Sequence, residues 1–138
     1  MTISEVSKKY EISTDTLRYY ERIGLIPKVR KNKSGNRDFT EVDCNWVEFI
    51  KCMRGAGISV ESLIDYVKLF QEGDNTIKAR KQILVEEYEI LTEKIKKLQE
   101  VQERLRLKIE LYDKNILEYE EKLKKYEKTV LSKKQGLL

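Results

Sequence analysis

Ser13-Thr-Asp-Thr-Leu-Arg-Tyr-Tyr-Glu-Arg-Ile-Gly24 is the stretch on which the fold of this chain turns. Ser13 is suited to cap a helix, Asp15 places a negative charge in the first turn, and Gly24 can end it in a left-handed conformation. At helical spacing Leu17, Tyr20, Ile23 and Gly24 share one face, and Thr14, Asp15, Arg18, Tyr19 and Arg22 share the other. Two guanidiniums, a phenol and a hydroxyl on the second face suit phosphate oxygens and base edges, although a merely solvated charged face has the same composition.

The flanking residues favour the first reading. Upstream, Thr2-Ile-Ser-Glu5 reads as a capping box opening a short helix to about Tyr10, with Ile3, Val6 and Tyr10 on its apolar side. Two short helices across a tight turn, the second one basic, form a helix-turn-helix pattern. Downstream, Pro27 closes the second helix, and Lys28 to Phe39 carries turn chemistry at Ser34-Gly35-Asn36 between two short arms, which predicts a basic hairpin or wing. Between residues 18 and 37 seven cations (Arg18, Arg22, Lys28, Arg30, Lys31, Lys33 and Arg37) face the single acid Glu21, a window of +6. Residues 1–74 as a whole are neutral, with twelve basic and twelve acidic side chains. A basic patch inside a neutral domain is the footprint of a polyanion partner.

Thr40 is expected to cap a third helix with Val42, Trp46, Phe49, Ile50, Met53 and Ala56 as its apolar stripe. Ser59 opens a fourth, with Val60, Leu63, Ile64, Val67 and Phe70 inward and Gly73 at its end. From Asp74 to Gln135 there is neither Gly nor Pro. Ile77, Leu84, Leu91, Leu98, Leu105, Tyr112, Tyr119 and Tyr126 recur every seventh residue; Lys81, Tyr88, Ile95, Gln102, Ile109, Ile116, Leu123 and Val130 are offset from them by four. This heptad seam, about 80 Å long if unbroken, requires a partner helix, expected from a second copy of the chain. Tyr112-Asp-Lys-Asn115 is a weak point at which the helix is expected to break and fold back. The organisation expected is thus a head over 1–73, a dimerisation helix over 74–112, and a short terminal helix and tail over 113–138.

Composition removes several classes of function. With no histidine, no acid/base carboxylate pair and no Gly-rich phosphate loop, enzymatic activity finds no support. Cys44 and Cys52 on one helix would stand about 12 Å apart, too far for a disulfide. No run of about 18 apolar residues exists to span a bilayer, and the start of the chain lacks a signal-peptide pattern, so a cytoplasmic location without membrane contact is expected.

Thr16-Leu-Arg-Tyr-Tyr-Glu21 followed by Gly24-Leu25 and Pro27 resembles the second-helix signature of the MerR family of transcription regulators, and the resemblance covers about residues 1–110. Gly35-Asn-Arg-Asp-Phe39 is similar to the family's wing motif Gly-Tyr-Arg-X-Tyr. Here Asn36 stands for the first aromatic, which removes a wing tyrosine as a DNA contact, and Phe39 for the second, which keeps the ring without its hydroxyl. The resemblance implies a mainly α fold: a winged helix-turn-helix DNA-binding head and a long helix forming an antiparallel coiled coil in a homodimer. It implies double-stranded promoter DNA as partner, a spacer bent and untwisted between two promoter elements, and RNA polymerase reading the result. The DNA-contact candidates are Arg18, Tyr19 and Arg37 first, then Thr14, Thr16, Arg22, Lys31 and Lys33. Thr16 falls toward the buried face; Tyr20 packs inward with Leu17, with its hydroxyl in reach of a phosphate.

No Cys or His follows residue 52, so the family's thiolate metal site is not expected, and the 28 residues after Glu110 are too few for a multidrug-binding domain. No cofactor is implied. Phe49-Ile-Lys-Cys-Met-Arg-Gly55 is similar to the branch that answers aldehydes and other thiol-reactive electrophiles through one cysteine in the third helix. Cys52 is therefore the effector candidate, with Lys51 and Arg54 as neighbours able to favour a thiolate. The alternatives are a Cys52 that is only a small core residue, and a dimer that acts as an architectural DNA binder with no effector.

Overall fold

The computed structural model describes residues 1–114 and 116–136, with side chains placed through 114 and over 117–128. Its helices are α1 (Ile3–Tyr10), α2 (Thr14–Ile23), α3 (Glu41–Gly55), α4 (Val60–Glu72), α5 (Ile77–Lys114) and α6 (Ile116–Gly136), with a 3-10 turn at Asp74–Thr76. The caps are those the sequence dictates. Thr2 and Glu5 exchange reciprocal hydrogen bonds of 3.1 Å. The Thr2 backbone N–H, then its hydroxyl, hold the Glu5 carboxyl below the usual carboxylate range. Ser13 accepts from the Thr16 N–H, and Gly24 ends α2 at φ 82°. Glu11 ends α1 at φ 53°, and three residues turn the chain into α2.

Val6, Ile12, Leu17, Leu25, Ile26, Val29, Phe39, Cys44, Val47, Ile50, Ile58 and Leu63 form the core. This corrects the stripe expected on α3. Cys44, Val47 and Ile50 face inward; Val42 is 62% exposed, Ala56 is exposed, and Trp46, Phe49 and Met53 are half-buried at the flank. Phe70, expected inward from α4, is also exposed; its ring meets Trp46 edge-on at 5.0 Å. α3 is apolar on more than one side, and the side turned inward is the one that meets the buried residues of α1 and α2.

The predicted hairpin is reduced to one antiparallel bridge, Lys31 with Arg37, and no strand forms among the described residues. The loop is nonetheless closed. Asn32 donates its N–H to Asn36 O at 2.7 Å, and its side-chain oxygen accepts from the N–H groups of Ser34 and Asn36. Gly35, at φ 81°, takes the turn position that suits glycine.

Two compact units result, Met1–Thr92 and Glu93–Leu138. The first takes in the start of α5. The buried Thr76 hydroxyl is shared between the carbonyls of Leu69 and Gly73 and accepts from Arg80 Nε at 3.1 Å; Ser62 donates to Glu87 at 2.6 Å. α5 itself is 38 residues long, about 57 Å, with no residue buried in this chain. The proposed break runs into Asn115, which lies outside the described residues, as do the side chains of Ile116 and Val130. No helix among the described residues is long and apolar enough to cross a membrane.

Candidate nucleic-acid interface

α2 presents its polar face because Leu17 is fixed in the core and Tyr20 and Ile23 pack beside it. Arg18 is left exposed, donating to Asp15 at 3.2 Å and to Thr14 Oγ1 at 3.5 Å. Tyr19 is exposed, with the Arg22 guanidinium over its ring, 5.4 Å from the centroid. Thr16 and Tyr20 are engaged differently. The Thr16 hydroxyl shares a 2.7 Å hydrogen bond with Ser13, and the Tyr20 ring rests against the core.

The wing brings its cations to the same side. Arg18, Lys31 and Arg37 line one groove of about 310 Å³, together with Gly35 and Asn36 of the wing and Thr2, Ile3 and Ser4 at the start of α1. The three cations give this groove positive charge suited to an anion, and two of them also pair with carboxylates, Arg18 with Asp15 and Arg37 with Glu21. Lys33 is exposed near the wing turn. Sequence reasoning did not include Thr2, Ser4 and Asn36, although the capping box had already marked the start of α1 as a helix N-terminus.

Arg37 has a second engagement. Its Nε donates to Glu21 Oε2 at 3.1 Å and its Nη2 to Glu21 Oε1 at 3.4 Å, and the Val29 N–H reaches the same carboxylate at 3.3 Å.

The effector candidate lies apart from this groove. Cys52 is exposed on α3, whereas Cys44 is buried, its Sγ 3.9 Å from Met1 Sδ. The cations beside Cys52 in the sequence each have a carbonyl partner. Lys51 donates to the carbonyl of Tyr10 and Arg54 to that of Ile58, each satisfying a carbonyl near a helix end.

Comparison with known proteins agrees with this geometry. The profile of MerR HTH family regulatory proteins matches residues 1–69, and that of the MerR DNA-binding region matches residues 45–107. The chain is 55% identical over 93 residues to the HTH-type transcriptional regulator AdhR of Bacillus subtilis, a match covering 67% of this chain and 66%, just under two thirds, of that relative. A MerR family transcriptional regulator from Listeria monocytogenes superposes with a TM-score of 0.82 at 44% identity, covering 92% of this chain and 96% of that one. HiNmlR, a MerR family regulator lacking the sensor domain and bound to promoter DNA, superposes at 0.75 with 29% identity, covering 82% and 90%.

Proposed function

The chain belongs to the MerR family of DNA-binding transcriptional regulators, and from that premise we propose that it works as a homodimer that grips promoter DNA twice and reshapes it between the grips. The observation that carries this reading is the groove where Arg18 of the recognition helix meets Lys31 and Arg37 of the wing. Thr14, Tyr19, Arg22 and Lys33 extend the DNA-facing surface; Thr16 and Tyr20 support it from beneath. The division at 73 and 112 belongs to the same reading. The head supplies one grip, the α5 seam pairs with that of a second copy in antiparallel fashion, and the terminal helix turns back. The Lys108 ammonium over the Tyr119 ring, 5.4 Å from its centroid, supports that reversal.

Two heads held at a fixed spacing would sit on successive major grooves of a pseudo-palindromic operator. A dimer that favours one of two spacer shapes then decides whether RNA polymerase meets both promoter elements on one face. The wing is tested by Lys31→Ala. Affinity for operator and non-operator duplexes is expected to fall alike, and the slope of log affinity against log salt to drop by about 1.8, or about 0.9 for each of the two heads. A slope equal to wild type in a titration by fluorescence anisotropy removes Lys31 from the phosphate contacts.

Sensing of electrophiles is assigned to Cys52, the exposed thiol of the two. Adding a reactive aldehyde is expected to change promoter output in wild type and leave Cys52→Ala unresponsive. The second reading is an architectural dimer without effector. Equal output in both proteins, with and without aldehyde, selects it.

A further inference from the structure

We propose that Glu21 is a positioning residue for DNA binding: its carboxylate locks the wing to the recognition helix, so that a backbone phosphate is seated among Arg18, Lys31 and Arg37. This rests on the DNA-binding reading above. Glu21 stands near the end of α2, and its side chain is only 13% exposed. It accepts from Arg37, which pairs with Lys31 in the wing bridge, and from the backbone of Val29, a core residue on the segment leading into the wing. One carboxylate thus joins the recognition helix, the outgoing arm and the returning arm. The two arms pair at a single backbone bridge, and the returning arm is also tied to Met1 through Asp38 and Phe39; the Glu21 carboxylate adds the link from both arms to the recognition helix.

Charge alone gives Glu21 the opposite role. It is the single acid among seven cations between residues 18 and 37, so its removal should strengthen attraction to DNA. A positional role makes removal weaken binding. The contact also needs the planar fork of arginine. Nε and Nη2 face the carboxylate while the side chain still lines the phosphate groove, and a lysine at 37 would keep the charge but lose the fork.

The test is fluorescence anisotropy of wild type, Glu21→Gln, Arg37→Lys and the double variant on operator duplex, with hydroxyl-radical footprints of each complex and melting temperatures of each free protein. Glu21→Gln is expected to bind about tenfold more weakly, equivalent to about 1.4 kcal/mol, although it removes a negative charge. Protection of the phosphates under the wing should be lost while that under α2 remains. Arg37→Lys should do the same, and the double variant should be no worse than either single change. Arg37→Lys reads the contact from its other side should Glu21→Gln fail to fold. Unchanged or tighter binding by Glu21→Gln overturns the proposal, as does an Arg37→Lys protein equal to wild type or additive losses in the double variant. In each of those cases the DNA-binding reading stands. Wild type that binds no promoter duplex sinks that reading and the clamp together.

Discussion

Leu98→Glu combined with Leu105→Glu is expected to leave the protein monomeric at micromolar concentration and to lower operator affinity at least about a hundredfold. Leu98 is 68% and Leu105 60% exposed in the single chain, and both lie on the seven-residue repeat of α5. Each leucine covered by a partner contributes about 2 kcal/mol. Two per protomer make about 8 kcal/mol in a dimer, the whole free energy of a micromolar association. Four carboxylates would replace them in the seam, each losing hydration on burial there. The effect on DNA follows from linkage. Once one head is bound, its tethered twin meets the second half-site at an effective concentration set by the tether, an advantage of about 10² to 10⁴ that a monomer lacks. Sedimentation equilibrium and operator titration measure both effects. A dimer of unchanged stability would place the subunit contact away from the seam.

Leu17→Ala is expected to destabilise the head by about 3 kcal/mol and to lower its melting temperature by about 12 °C or more, at matched protein concentration. Leu17 is 1% exposed and is the single fully buried anchor of α2, set among Val6, Leu25, Val47 and Ile50 in the core cluster. Truncation removes three carbons and leaves a cavity that the short helices around it can only partly close. Arg22→Ala, on the exposed side of the same helix, should stay within about 0.5 kcal/mol of wild type. Calorimetry of the two variants separates anchoring from surface effects. Equal melting temperatures would mean that α2 is held mainly by something other than its apolar face.

Local rules carried most of the fold into the sequence. Thr2, Ser13, Thr40 and Ser59 cap helices by bonds to residues three positions on, and Gly24 stops α2 within its own turn. Such contacts depend on neighbours alone, so they are legible before the chain is folded. The α5 repeat is legible for a related reason: apolar residues at steps of four and three, sustained over a 38-residue helix, are none of them fully buried inside this chain. The candidate interface was legible as a set of cations, and Arg18, Lys31 and Arg37 do meet in one groove.

Tertiary structure decided which of several locally equivalent choices was used. Periodicity allowed α3 to turn Val42 or Cys44 inward, and packing selected Cys44, Val47 and Ile50. The wing could have been a ladder; it is one bridge, secured by an ion pair between Glu21 and Arg37, sixteen positions apart. Lys51 sits beside Cys52 in sequence yet reaches Tyr10, forty-one positions away. The sequence by itself therefore determined the helices, their caps, the basic window and the uncovered seam, because each rests on residues within a turn or two of one another. The partners of Glu21, Arg37 and Lys51 required the folded chain, because a charged side chain that can satisfy itself in several places is directed only by what the fold brings within about 3 Å of it.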